Sequence, residues 1–232
     1  MNEIEKNLKI VQDNMCRAAQ RVGRDPHTIR LVAATKYVPV EHIRQAVQAG
    51  VAICGENRWQ EAQTKMEAIG KPDGLVWHFI GRLQRRKLKQ MAGHFALIHS
   101  VESCEQAEEL NKRAEERSLQ QAILLEVNIG GEDTKGGFAP DALLAAIPKL
   151  DHMAHLRIQG LMTVPPQVVN PEDARPYFRR LKQMADEVNA KHPSRVRMDE
   201  FSMGMSHDYE VAIEEGATYV RIGTAIFGER II

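Results

Sequence analysis

Residues 29–54 read IRLVAATKYVPVEHIRQAVQAGVAIC, and their reading decides the fold. Ile29 to Thr35 is a nearly unbroken apolar run, which suits a strand covered on both faces. Val40 to Ala49 has a helical pattern and ends at Gly50, a natural C-terminal cap. Val51 to Cys54 then opens a second short strand. A β-rich run, a polar turn, a helix and a glycine make one βα unit.

Outward from this stretch the same rhythm recurs. Further β-rich runs lie at Val76 to Ile80, Phe95 to His99, Ala122 to Val127, Arg157 to Met162, Met198 to Ser202 and Thr218 to Ile222. Helical patterns separate them: Glu56 to Ile69, Leu83 to Met91, Ser103 to Arg117, Pro140 to Leu150, Pro171 to Ala190 and Ser206 to Glu215. Ser103 stands three residues before Gln106, a capping-box spacing. Eight strands alternating with helices predict a parallel (β/α)8 barrel, a TIM barrel, with a doubly wound open sheet as the rival. The chain stops soon after the eighth run, so no last helix is expected. The amphipathic stretch Ile4 to Val22 is an extra N-terminal helix able to cover that gap. No linker or repeat divides the sequence, and residues 1–232 read as a single domain.

Composition narrows the function classes. Hydrophobic residues make up 43% and charged residues 27%, as in an ordinary globular protein. Lys+Arg and Asp+Glu are both 31, so there is none of the basic excess of a dedicated nucleic-acid binder. No apolar run approaches the roughly 18 residues of a membrane helix. The start, MNEIEKNLKIVQ, lacks the apolar core of a signal peptide, so a cytoplasmic protein is expected. Cys16, Cys54 and Cys104 are far apart with no CxxC pair, which predicts neither a disulfide framework nor a metal site.

In such a barrel the chemistry gathers where strands end and helices begin. Strand one ends in Thr35-Lys36, strand two runs into Gly55-Glu56-Asn57, and strand three ends at Gly81-Arg82. Strand four ends at His99-Ser100, strand five at Asn128 and strand six at Met162-Thr163. Strand seven leads into SMGMS (202–206) and strand eight into RIGT (221–224). A lysine at the mouth of a dry core has its charged form disfavoured, and a neutral amine is what a Schiff base with an aldehyde needs. Barrels often bind phosphate in the loops after strands seven and eight. There Ser206, at an expected helix start, offers a hydroxyl and neighbouring amides, Gly223 permits close backbone approach, and Thr224 adds a hydroxyl. Together these predict a ligand with an aldehyde at one end and a phosphate at the other. Pyridoxal 5′-phosphate fits, and so does a phosphorylated sugar on a Schiff-base aldolase. Arg221 helps decide, because a permanent cation against a pyridine nitrogen would keep it unprotonated and weaken the electron sink of most such enzymes. Arg82, Arg85, Arg86, Lys87 and Lys89 form a basic cluster read as a solvated helix face. His78, inside a strand, reads as a packed core residue, as do Trp59 and Trp77.

The stretches LVAATKYVP (31–39), GENRWQEA (55–62), WHFIGRLQ (77–84), HSVES (99–103), GLMTVPP (160–166), FSMGMSHDYEVAI (201–213) and GATYVRIGTAIFGER (216–230) closely resemble the YggS/PROSC family, the pyridoxal phosphate homeostasis proteins. The resemblance covers nearly the whole chain, with the motifs in order. It implies a barrel like the alanine racemase N-terminal domain, with pyridoxal phosphate held as an internal aldimine on Lys36. It implies that Ser206, Gly223 and Thr224 hold the phosphate, that Arg221 faces the pyridine nitrogen, and that Asn57 lies near the cofactor. It assigns no catalytic residue. Departures are Thr35 where Ser is common, Arg82 in place of the His of GHLQ, Arg85-Arg86 in place of a more polar pair, extra glycine within 130–137, and His207 where a small residue is usual.

Two functions follow. The first is a non-catalytic cofactor carrier or regulator affecting amino-acid and keto-acid balance. Its expected partners are pyridoxal phosphate and apo-enzymes that use it, and it is expected as a monomer with no nucleic-acid or membrane partner. The alternative is a small racemase-like or aldolase-like enzyme using Lys36, which requires a base near the ring that spacing does not reveal.

Overall fold

Every one of the eight runs forms a strand in the computed structural model, which describes residues 2–132, 134–191 and 196–229. The strands are β1 (Arg30–Ala34), β2 (Ile53–Glu56), β3 (Val76–Phe79), β4 (Leu97–Val101), β5 (Gln121–Glu126), β6 (Leu156–Met162), β7 (Glu200–Met205) and β8 (Tyr219–Ile222). Each pairs in parallel with its neighbours in chain order. The ring closes where β8 returns to β1, with Arg30 opposite Tyr219 and Val32 opposite Arg221. A closed ring excludes the open doubly wound sheet.

The helices are α1 (Glu3–Arg21), α2 (Val40–Gln48), α3 (Trp59–Ile69), α4 (Arg85–Met91), α5 (Cys104–Glu116), α6 (Pro140–Asp151), α7 (Arg175–Lys191), α8 (Tyr209–Glu214) and α9 (Thr224–Phe227). They form the outer ring. Successive strand side chains point to opposite faces, so each strand feeds two layers. Val32, Leu97, Ala122, Leu124, Met162 and Tyr219 fill the lumen. Cys54, Phe79, Ile98, Ile123, Leu125 and Ile222 pack outward against the helices. This is why the runs are largely apolar rather than cleanly alternating.

Three strand ends differ from expectation for a common reason. β2, β4 and β7 run on to Glu56, Val101 and Met205. An apolar run stops at its first polar residue, but the ladder continues where that residue finds a partner, as Glu56 does with Thr35 and Lys65. The expected helix from Pro171 divides into a short 3-10 turn, Pro171–Ala174, and α7. At α5 the capping reading holds: Ser103 Oγ accepts from Gln106 N at 3.3 Å.

Among the described residues β8 is followed by one helical turn, α9, in place of a full last helix. α1 packs there against α8 and α9. Its buried face carries Ile4, Leu8, Val11 and Met15, each large apolar side chain worth roughly 1.5–3 kcal/mol on burial. Asn7 Nδ2 donates to Ile226 O at 3.1 Å, Asn14 Nδ2 to the Tyr209 hydroxyl at 3.0 Å, and Arg21 to Glu210 and Glu214. Among the described residues no helix is long and apolar enough to cross a membrane.

Candidate functional site

Lys36 follows β1 in a turn held from both sides. Val38 N donates to Thr35 O at 2.9 Å and closes the turn. Tyr37 is held at φ 62, a left-handed conformation that costs a non-glycine residue about 1 kcal/mol or more. Thr35 is fully buried, and its Oγ1 donates to Glu56 Oε1 at 2.5 Å. Lys65, reaching in from α3, donates to Thr35 O at 2.7 Å and to Glu56 Oε1 at 2.8 Å. A buried ion pair therefore anchors the backbone directly beside the lysine. Burial raises the Glu56 carboxyl above its usual range, against the pull of Lys65 and Thr35.

Asn57 follows β2 and presses against Gly81. A Cβ on Gly81 would lie 2.3 Å from Asn57 O, so only glycine lets the two loops meet. The Asn57 Oδ1 atom is buried without a hydrogen-bond partner among the described residues. A buried polar atom in that state is what a bound ligand satisfies.

The ends of β7 and β8 meet through Ser206. The sequence reading places Ser206 at the start of a helix, but α8 begins at Tyr209 with Asp208 as its N-cap residue. Asp208 Oδ1 instead accepts from Met205 N at 2.7 Å, which tightens the turn and displaces the helix start. Ser206 Oγ is thereby left to reach the next loop, where it accepts from Gly223 N and Ala225 N, both at 3.3 Å. Gly204, at φ +90, sits where a Cβ would come within 2.6 Å of Ala212 Cβ. Gly223 is buried and Thr224 is exposed at the rim.

Arg221 points into the lumen and is 5% exposed. Its Nη1 donates to Ser202 Oγ at 2.6 Å and its Nη2 to Thr163 O at 2.9 Å. Burial pulls its pKa down to about 10, opposed by Glu126 and Asp208, so it stays cationic at neutral pH. Ser202 and His99 are not at the rim as their places beside apolar runs suggest. Both are fully buried inside their strands. His78 is buried, as expected of a core histidine, and pairs with His99.

Lys36, Asn57, Ser206, Arg221, Gly223 and Thr224 thus come from the C-terminal ends of β7, β8, β1 and β2, four successive strands of the ring. They form one arc of the rim. The set offers an amine, a permanent cation, hydroxyls beside backbone amides, and an unmatched buried oxygen. That chemistry fits an aldehyde-bearing phosphate ester. A cleft of about 510 Å³ between α1 and α8 reaches Ser206, and one of about 120 Å³ lies beside Asn57 and Arg82. The basic cluster is outside the arc: Arg82, Arg85, Arg86 and Lys89 are exposed, and Arg82 pairs with Glu102 at 3.4 Å. Among the described residues no group of three or more His, Cys, Asp or Glu could hold a metal ion.

Sequence reasoning missed four participants. The Glu56–Lys65 pair is nine residues apart on a strand and a helix, and nothing local announces it. Glu126 is half-buried at the end of β5, where burial raises its carboxyl above the usual range and Arg221 opposes the rise. Its place after the apolar AILL was the available signal. Ser202 was read as the last residue of the seventh strand and the first of SMGMS, with no role of its own.

Residues 7–231 match the family described as alanine racemase, N-terminal domain. A protein of Aquifex aeolicus named "Pyridoxal phosphate homeostasis protein" is 46% identical over 230 residues, 99% of each chain. The solved structure of PipY from Synechococcus elongatus with PLP bound is 34% identical, covers 93% of this chain and 100% of that one, and superposes with a TM-score of 0.83. Alanine racemase of Clostridium difficile shares the fold, with a TM-score of 0.75 at 16% identity over 99% of this chain and 60% of that chain.

Proposed function

The chain belongs to the pyridoxal phosphate homeostasis proteins, on the alanine racemase N-terminal fold, and from that premise we propose how it holds its cofactor and what it does with it. It binds pyridoxal 5′-phosphate and serves the homeostasis of that cofactor. The observation that carries the site assignment is the pinned turn of Lys36 on the strand next to Arg221. When bound, the cofactor supplies an aldehyde that condenses reversibly with amines. Lys36 Nζ is the amine that holds it. Ser206, the amides of Gly223 and Ala225, and the Thr224 hydroxyl receive the phosphate, and Asn57 lies beside the ring.

Arg221 faces the ring nitrogen. A fixed cation disfavours protonation of the nitrogen opposite it, and an unprotonated ring is a weak electron sink. This supports a carrier or regulator rather than a catalyst, delivering cofactor to apo-enzymes that use it. The enzymatic alternative draws on Glu126, a half-buried carboxyl within the electrostatic reach of Arg221. Turnover of an amino acid at about 1 per second or faster would favour it. The carrier reading includes a single-domain, monomeric, cytoplasmic protein. The free thiols Cys16, Cys54 and Cys104 agree with a reducing compartment.

The deciding experiment is the visible absorption spectrum of the protein with added pyridoxal phosphate, for wild type and Lys36→Ala. Borohydride reduction and peptide mass mapping follow. A reduced adduct on Lys36, absent in the variant, is expected. No visible band in wild type would remove Lys36 from the site and bring the phosphorylated-sugar reading forward.

A further inference from the structure

A polar line crosses the barrel lumen beneath the rim. Arg221 on β8 donates to Ser202 on β7 at 2.6 Å. Ser202 Oγ lies 2.7 Å from His99 Nδ1 on β4, and His99 Nε2 lies 2.9 Å from His78 Nδ1 on β3. The four side chains are 5%, 0%, 0% and 4% exposed. We propose that this line has one hydrogen-bond direction, set by Arg221, and that Ser202 and His99 are positioning residues for the guanidinium. The role of that guanidinium rests on the cofactor reading above; the direction of the line does not.

The direction follows from an inventory of protons. Arginine has five N–H donors and no acceptor, so Ser202 Oγ accepts from it. Ser202 has one proton to give, and His99 Nδ1 stands at donating distance. His99, accepting at Nδ1, carries its proton on Nε2 and donates it to His78 Nδ1. His78 then also carries its proton on Nε2. In the reverse arrangement both histidines are protonated at Nδ1, and Ser202 receives two donors while its own buried proton has no acceptor in the line. His78 Nε2, which carries the last proton of the first arrangement, is not among the buried side-chain atoms left without a partner, whereas the Ser202 proton of the reverse arrangement is buried; an unmatched buried donor is expensive, so the first arrangement wins.

The surroundings keep both rings neutral. His99 faces His78, Arg221 and Arg30, and His78 faces Arg30, with no carboxylate among the groups acting on either ring. Glu200 is drawn off by its ion pair with Arg30, and Glu126 and Asp208 act on Arg221. A second positive charge in this dry lumen would meet only like charges and desolvation. The line therefore stays in one protonation state. Arg221 is held at Nη1 by Ser202 and at Nη2 by the Thr163 carbonyl, so its plane is fixed before a ligand arrives. Preorganisation of this kind lowers the ordering cost of binding.

Two measurements test this. Long-range 15N–1H correlation on wild-type protein without cofactor reads the tautomers. Both rings are expected neutral with the proton on Nε2, unchanged between about pH 6 and about pH 8. A proton on Nδ1 of either ring, or an imidazolium in that range, overturns the direction. The second compares Ser202→Ala, His99→Leu and His99→Asn, whose Oδ1 replaces the accepting Nδ1. Pyridoxal phosphate affinity is expected to fall about tenfold in the first two, with a shifted absorption band, and to recover to within about threefold in His99→Asn. Equal behaviour of the leucine and asparagine variants, or no change in any, overturns the positioning role. If wild type takes up no cofactor, the cofactor reading fails separately, and positioning is read from the Arg221 guanidinium N–H signals. These are expected slow to exchange in wild type and His99→Asn and averaged in Ser202→Ala. Signals alike in all three overturn it.

Discussion

Lys65→Met isolates the buried ion pair that anchors the turn of Lys36. The Lys65 side chain is 9% exposed and that of Glu56 0%. Wild-type Lys65 satisfies both Glu56 Oε1 and the Thr35 carbonyl. In the variant the carboxylate keeps only the Thr35 hydroxyl, and Glu56 Oε2 already lacks a hydrogen-bond partner. Removing one partner of a buried pair leaves an uncompensated charge and costs about 3–5 kcal/mol. For a chain of this size that lowers Tm by roughly 6–20 °C, at about 2–4 °C per kcal/mol. Urea and thermal unfolding followed by circular dichroism measure both. Glu56→Gln combined with Lys65→Met removes the charge as well and is expected to restore more than half the loss. The pH dependence has a definite sign. Burial raises the folded-state pKa of Glu56 above its unfolded value, so its contribution is present in acid and is lost as pH rises through the folded pKa. Without Lys65 that rise grows, so the penalty of the single variant shrinks from about pH 8 to about pH 5. A loss below about 1 kcal/mol at about pH 8, the worth of an exposed pair, would refute the reasoning.

Two further outcomes concern the lumen and the rim. Gly81→Ala places a Cβ 2.3 Å from the backbone oxygen of Asn57. It is expected to destabilise by about 1–3 kcal/mol and to weaken pyridoxal phosphate binding as Asn57 shifts, read by unfolding and by cofactor titration. Burial and Arg30 push His78 down to about 3, and burial with neighbouring positive charge pushes His99 well below its usual value. A depressed histidine adds stability above its unfolded pKa and loses it as pH falls towards the folded pKa. Below about pH 6.5, stability is expected to fall by about 1.4 kcal/mol per pH unit for each such histidine. Proton uptake on unfolding at about pH 5 tests this, and uptake unaffected by His78→Phe would contradict it.

The barrel was legible because its grammar is local. Runs such as Ile29 to Thr35 are apolar at nearly every position, broken only by Arg30 before the closing Thr35, since a strand inside a ring of helices is covered on both faces. Glycines such as Gly50, at φ +104, mark the helix ends without reference to anything distant. The places of Lys36, Arg221, Ser206 and Gly223 at or beside strand ends were legible because a parallel barrel brings the end of every strand to one rim, so order along the chain becomes neighbourhood in space. The resemblance then narrowed two aldehyde-phosphate ligands to one.

What the sequence could not determine was which polar groups find one another. Ser206 looked like a helix cap, and only the Asp208 turn shows that its oxygen meets the amides of Gly223 and Ala225. Glu56 and Lys65 are separate charges on a strand and a helix until α3 folds back over β2. His78, His99, Ser202 and Arg221 lie on four strands, and closing the ring is what lines them up. The physical reason is one of range. Strand and helix are chosen by backbone propensity and by apolar pattern within a few residues. A buried polar contact is chosen by desolvation, which acts only once distant segments have excluded water together.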